Sequence, residues 1–304
     1  MNILVTGIAG FIGSHIAERL IQEGHTVFGV DNLSNGFKKN IPENAEAFFF
    51  DLSVKQNLDV LPSSIDIIIH MAGHASGERS YSKPVMDLEQ NTVATLNLIE
   101  YGIKYKVARF LFASSISCYG HLTDGFASEE SLGSPKTCYA VAKQSSENYL
   151  GIYGDQLPNV IFRIANVYGP RQNLANMQQG MVSIYLAQAM KNNKVEVKGS
   201  LDRFRDFVEV EDVVQAFVLA IDLENRIEGE TFNLGSGIPT TVLDLLNILK
   251  QHYPKLEWYE NGSTPGDIKG IYANIGKIRS LLGFNPVVSL DEGLSKFVKW
   301  AEDR

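Results

Sequence analysis

The opening stretch MNILVTGIAGFIGSHIAERL, Met1 to Leu20, decides how the rest of this chain is read. A run of branched apolar residues, "NILV" (2–5), stops at a turn with glycines at positions 7, 10 and 13. An amphipathic pattern follows at once: Ile12, Ile16, Leu20 and Ile21 share one helical face, and Gly24 is placed to end the helix. Strand, glycine turn and helix in immediate succession form a cradle for a pyrophosphate. Glycine lets the backbone approach the phosphates, and the helix N-terminus supplies N–H groups and positive dipole. Gly7, Gly10, Phe11, Ile12 and Gly13 are therefore the first candidate cofactor-binding residues. The stretch lacks a basic leader region, and His15, Glu18 and Arg19 interrupt it. It reads as folded protein rather than as a targeting or membrane-spanning segment.

Similar apolar runs recur at "HTVFGV" (25–30), "AFFF" (47–50), "DIIIH" (66–70), "RFLFAS" (109–114) and "NVIFRI" (159–164). They show little polar alternation, as strands buried on both faces do. Helical patterns lie between several of them. One runs from about Val85 to Tyr101 and stops at Gly102; another begins near Tyr139, with Ser134 or Thr137 as its cap. The alternation predicts an α/β fold, a Rossmann-type doubly wound parallel sheet. After Gly169-Pro170 the rhythm changes, with helices expected over 181–192, 212–223, 241–252 and about 290–300, and a strand in "KVEVKG". The expected division is a Rossmann domain over 1–170, to which a segment near 205–230 returns, and a smaller mixed α/β domain over 171–304.

Composition narrows the function. The chain has 304 residues, 44% of them apolar, enough for one large or two closely joined domains, and a net charge of −8. No Lys/Arg-rich run is present, so neither nucleic acid nor a membrane surface is an expected partner. Two cysteines make no disulfide framework, which fits a reducing, cytoplasmic setting. The six histidines show no metal-ligand spacing, and His70, at the end of a buried run, reads as a satisfied core residue.

Asp31 closes the second run about twenty residues beyond the glycine turn. A carboxylate there accepts hydrogen bonds from both hydroxyls of an adenosine ribose and repels a 2′-phosphate, so the expected cofactor is NAD. Asp51, ending the third run, is placed to reach the adenine amino group. The reaction centre is expected in "CYAVAK" (138–143), where Tyr139 and Lys143 stand one helical turn apart. A phenol is a poor base at neutral pH; lowering its pKa by about three units takes roughly 4 kcal/mol of differential stabilisation, which an adjacent ammonium helps supply. A phenolate beside NAD+ can take a proton from an alcohol while hydride leaves the carbinol carbon.

Together these motifs resemble the extended short-chain dehydrogenases/reductases of the nucleotide-sugar branch, most closely the UDP-hexose 4-epimerases. The resemblance covers nearly the whole chain. It rests on "TGIAGFIG", "VDNLSNG" (30–36), "DL" (51–52), "HMAG" (70–73), "ASSISCYG" (113–120), "YAVAK" (139–143), "RIANVYGPRQ" (163–172), "RDFVEVEDVV" (205–214), "FNLGSG" (232–237) and "PGD" (265–267). It implies Ser115 as a third catalytic residue beside Tyr139 and Lys143, with Lys143 also on the nicotinamide ribose. It places Asn32, Asn35 and Gly36 on the adenosine ribose, Leu52 beside Asp51, Met71, Ala72 and Gly73 on the nicotinamide half, and Asn91 behind them. It puts Asn166, Arg205 and Asp267 on the nucleotide sugar. It also implies a homodimer built on a four-helix bundle, from the helices near 85–101 and 139–153. The 1–170 portion would bind NAD and the 171–304 portion the nucleotide sugar, a UDP-hexose or its N-acetyl or uronate analogue.

The chain departs from the family pattern at several places. Thr264 stands where an arginine is usual, so either Arg171 or Arg203 takes over a diphosphate contact or the nucleotide sits differently. The loop "GHASGERSYSKP" (73–84) differs from common variants, and its Gly77, Glu78 and Arg79 bear on the sugar end. Ile271, in place of a bulky aromatic, is read either as an opening for an N-acetyl group or as a core residue. Ile116 and Ser117 occupy the positions where 4,6-dehydratases need an Asp-Glu pair, which sets that reaction aside. Cys118 and Cys138 read first as small packing residues, with an acid role of the reductive-epimerase kind as the alternative. The expected reaction is NAD-dependent 4-epimerisation; the rivals are a 4-dehydrogenase that releases its keto sugar and a non-catalytic NAD-binding protein.

Overall fold

The computed structural model describes residues 1–224, 226–262 and 268–304. In its N-terminal half β1 (Asn2–Thr6), α1 (Phe11–Gln22), β2 (Thr26–Asp31), β3 (Glu46–Phe49), β4 (Ile67–His70), α2 (Gly77–Ser82), α3 (Pro84–Leu88), α4 (Ala94–Tyr105), β5 (Arg109–Ser115), β6 (Phe126–Ala127), α5 (Cys138–Ile152) and β7 (Asn159–Ile164) follow one another. The remainder holds β8 (Asn166–Tyr168), α6 (Met181–Asn192), β9 (Lys194–Val197), β10 (Phe204–Glu209), α7 (Val210–Ala220), β11 (Thr231–Leu234), β12 (Pro239–Thr241), α8 (Val242–His252), β13 (Glu257–Glu260), β14 (Gly270–Ala273), α9 (Gly276–Leu282) and α10 (Leu290–Glu302).

Seven strands form one sheet in the order β11-β7-β5-β4-β1-β2-β3, and every neighbouring pair is parallel. The fold is the Rossmann-type α/β arrangement. Six of the strands are the six apolar runs. β11 is the seventh; Thr231 and Asn233 interrupt its apolar residues, so it does not stand out as a run. On one face α1 packs Ile16, Ala17 and Leu20 against Ile3 and Val5, joined by Val213 and Phe217 of α7. On the other, Leu98 and Ile99 of α4 meet Leu4, Ile68 and Phe112. The strand order reverses between β1 and β4, and in such sheets a crevice opens there, beyond the carboxyl ends of the strands.

A smaller sheet runs β12-β10-β14-β6, with β8 paired to β10, and β13 pairs β9. A separate core gathers Leu186 of α6, Leu246 of α8 and Phe297 of α10 around Tyr168. Among the described residues no helix is long and apolar enough to cross a membrane.

Local signals act mostly as read. Gly24 (φ +84°) directly follows the last residue of α1's cap, and the Thr137 side chain accepts a hydrogen bond from the Ala140 N–H at 3.1 Å to start α5. The second helix differs from expectation. It is helical from Pro84, contains a π-turn at Glu89–Val93, and passes through Gly102 to Tyr105, ending at Lys106 (φ +56°). Gly102 is buried, and a β-carbon on it would lie 3.0 Å from Leu157. That glycine marks a close helix contact rather than a helix end.

Candidate active site

At the carboxyl ends of β1, β2 and β4 the sheet opens into a cleft of ≈ 1300 Å³ of empty space, its open mouth included. The turn after β1 forms its floor, and Gly7, Gly10, Phe11, Ile12 and Gly13 all line it. Only glycine fits there. Gly7 has φ +70°, and a β-carbon on Gly13 would lie 2.2 Å from the Gly7 carbonyl oxygen. Gly10 caps α1 without a side-chain hydrogen bond, so no side chain competes for the first helical N–H groups. This cradle fits the diphosphate of a dinucleotide.

Asp31, Asn32, Asn35, Gly36, Asp51 and Leu52 form the next stretch of wall, and Met71, Ala72 and Gly73 the far end. The Asp31 carboxylate accepts from the Ala9 N–H (3.0 Å) and the Leu33 N–H (2.7 Å). Burial raises its pKa, and those two backbone donors pull the other way. Asn32 donates to Asp51 at 3.4 Å, and Asp51 is steadied by the Ser53 N–H and hydroxyl.

β5 delivers Ser115 and α5 delivers Tyr139 and Lys143. The Ser115 hydroxyl oxygen accepts from the Ser117 N–H at 3.2 Å and lies 2.9 Å from the Ser117 hydroxyl. Burial pushes the Tyr139 phenol well above its ordinary range; a hydrogen bond with Ser115 works against that, while Cys118 and Asp87 push it further up. Burial takes Lys143 the opposite way, to about 8, opposed by Cys118, Asp87 and Glu147. The Lys143 Nζ sits 4.8 Å over the Phe112 ring.

The cofactor cleft meets this centre at Gly73. A β-carbon there would lie 2.5 Å from Asn91 Oδ1 and 3.4 Å from Lys143 Nζ. Asn91, in the π-turn, donates to the His74 and Asp87 carbonyl oxygens, both at 3.1 Å. Its own Oδ1 is buried without a partner. His70 lies beneath, within hydrogen-bonding distance of the Thr6 (2.7 Å) and Thr95 (3.0 Å) hydroxyls, a satisfied core histidine. Cys118 is buried against Ser114 and Ala140, as a small packing residue is, and burial pushes its thiol up to about 12.

A second cleft adjoins the first, sharing Ala75 and Gln179 with it. Its near end holds Ser76, Gly77, Glu78 and Thr137; Tyr185, Gln188, Lys198 and Arg203 also line it. Asn166 lines it too. Three expected substrate residues are elsewhere. Arg205 donates to the carbonyl oxygens of Phe204 (2.7 Å) and Ile268 (3.1 Å), and Arg203 lines the cleft. Arg171 lines the cofactor cleft, with Nη2 2.6 Å from Glu18 of α1. Ile271, 3% exposed, belongs to the core of Tyr119 and Ala127, so it is the core residue of the two readings. Asp267 and the Thr264 departure lie outside the described residues. Gln172, Asn173, Asn176 and Gln179 also border the first cleft. Gln172 ends the "RIANVYGPRQ" motif, and no motif marks the other three; polar residues in a loop become wall only once the loop crosses a cleft.

The family model for NAD dependent epimerases and dehydratases matches residues 3–235. The chain belongs to that family. Its cofactor is NAD, which the glycine cradle and Asp31 fit. The chain is similar to a protein described as a putative UDP-glucose 4-epimerase in Methanocaldococcus jannaschii, 34% identical over 99% of this chain and 98% of that one. Among solved structures it is similar to the UDP-glucose 4-epimerase of Thermotoga maritima with UDP-glucose, with TM-score 0.95, 35% identity and coverage of 100% and 99%. The UDP-glucose 4-epimerase of Thermus thermophilus in complex with NAD gives TM-score 0.91 and 33% identity, with 99% of each chain covered. A UDP-glucuronate 4-epimerase is also among the relatives.

Proposed function

We propose that this chain is a UDP-hexose 4-epimerase. One observation carries the reading: the helix that bears Tyr139 and Lys143 touches both of two contiguous clefts, with Tyr139 hydrogen-bonded to Ser115. Gly73 of the cofactor cleft abuts the Lys143 ammonium, and Thr137 of the second cleft caps the helix bearing Tyr139 and Lys143. The second cleft carries Lys198 and Arg203, cations suited to the diphosphate of a nucleotide sugar. On this reading residues 1–170, with the segment near 205–230, hold NAD, and residues 171–304 hold the sugar nucleotide.

When bound, NAD supplies a hydride acceptor and a positively charged ring. Burial alone keeps the Tyr139 phenol protonated, so it becomes a base only when positive charge gathers beside it, and Lys143 contributes part of that charge. Tyr139 then accepts the proton of the sugar 4-hydroxyl, with Ser115 bridging the two oxygens. Lys198 and Arg203 anchor the nucleotide while the 4-keto sugar turns over. Tyr139 then returns the proton to the 4-oxygen of the inverted sugar. Net redox is zero, so the protein as purified should work without added NAD. Incubation with UDP-glucose and NMR of the sugar tests this: UDP-galactose should form with no free keto sugar. Accumulation of a keto sugar, or no change at C4 by an NAD-loaded protein across UDP-, GDP- and dTDP-hexoses, overturns the reading.

A further inference from the structure

The first turn of α2 sets the chemistry at the near end of the second cleft. Ser76 caps that turn, accepting from the Arg79 N–H at 3.2 Å and donating to the Gln178 carbonyl oxygen at 3.3 Å. Gly77 lies against Thr137; a β-carbon on it would be 3.2 Å from the Thr137 methyl. The turn is thereby clamped between the start of the catalytic helix and the 177–180 segment, and Glu78 projects from it into the cleft wall. Among the described lining residues, the other charges are Glu196 on β9, Lys198 just after it and Arg203 just before β10. Arg79, the neighbouring cation, is not part of the lining.

We propose that Glu78 is a specificity-determining residue that selects nucleotide sugars with an uncharged substituent at C5 and disfavours uronates. The inference rests on the epimerase reading, which places the reacting C4 at Tyr139 and hence the hexose beside Thr137. C5 is bonded to C4, so the C6 group stays within a few ångströms of the reacting hydroxyl, at the end of the cleft that Glu78 borders. A hydroxymethyl group can donate a hydrogen bond to a carboxylate. A C6 carboxylate cannot, and like charges at the border of the cleft repel. Lys198 and Arg203 are taken up by the diphosphate and do not offset this.

The test is calorimetric titration of the NAD-loaded protein with UDP-glucose and with UDP-glucuronate, for the parent, Glu78→Gln and Glu78→Lys. Glu78 is exposed, so both substitutions spare the fold. The parent should bind the uronate more weakly by on the order of ten-fold, and the gap should narrow as ionic strength rises from about 50 to 500 mM. Glu78→Gln should close most of the gap, and Glu78→Lys should invert the preference. A preference that ignores both substitutions and salt, or a parent that binds the uronate as tightly as UDP-glucose, overturns the proposal. The same samples are assayed for epimerisation by NMR. Absence of turnover with the charge-dependent gap intact defeats the epimerase reading and leaves the role of Glu78 standing.

Discussion

The Lys143 ammonium donates a hydrogen bond to the carbonyl oxygen of Ala113, 2.9 Å away, with 4% of the residue exposed. Burial lowers its pKa from 10.5 to about 8. In the unfolded chain the amine holds its proton up to about 10.5, so at neutral pH the folded state must carry a buried charge at a cost. That cost is fully present below pH 8 and disappears as the pH rises toward 10.5. Lys143→Met should therefore stabilise the apoprotein at pH 7, by at most about 3 kcal/mol, with the gain fading near pH 10.5. The same variant should lose turnover and retain NAD poorly. Thermal unfolding at the two pH values checks the first claim, and a lower Tm than the parent at pH 7 would contradict it.

Tyr139→Phe should reduce turnover by orders of magnitude while leaving bound NAD nearly unchanged, since it removes the base and little contact area. Single-turnover kinetics and the cofactor content of the purified variant decide it. A Phe variant with near-parental rate removes Tyr139 from the chemistry.

Asp31 should make the protein prefer NAD over NADP. Its carboxylate is held by the Ala9 and Leu33 N–H groups at the cleft wall. A 2′-phosphate would lose a charged hydrogen bond and meet like charge, each worth on the order of 1–3 kcal/mol. Competitive binding of the two dinucleotides to the stripped protein measures this, and equal affinities would refute the assignment.

The helices flanking the site carry apolar side chains in contact with water: Val85, Leu88, Val141, Tyr149 and Ile152 are all exposed. Pairing α3, α4 and α5 with the same helices of a second copy would cover them, giving a dimer. Light scattering at micromolar concentration should return twice the mass of the 33.7 kDa chain, and Val85→Asp with Ile152→Asp should shift it to the monomer. A monomeric parent protein would refute the assembly.

The glycine turn, Asp31 and the Tyr139–Lys143 pair were legible because each acts through neighbours along the chain. A helix brings residues four apart onto one face, and a strand end puts the next residue at the crevice, whatever the remainder does. Arg203 and Arg205 show where such reading stops. Both are arginines within one short segment and both are 8% exposed; Arg203, just before β10, borders the second cleft while donating to the Ser200 carbonyl, and Arg205, on β10 beside β14, donates to the Phe204 and Ile268 carbonyls. Gly102 misled for a related reason: it looks like a helix terminator, and it is the contact point for Leu157.

The strand-and-helix alternation, the dinucleotide cradle with its acid, and the placing of Tyr139 and Lys143 one turn apart on a helix follow from the sequence. These rest on local periodicity and on backbone geometry that only particular residue types permit. Tertiary structure alone decided that Arg171 faces the cofactor cleft, that Ile271 is core, and that Glu78 borders the near end of the second cleft. That cleft is assembled from segments near 75–78, 137, 166, 177–188 and 196–203. Which side chains of such distant segments meet is set by the packing of the elements that carry them, and no single stretch of chain encodes it.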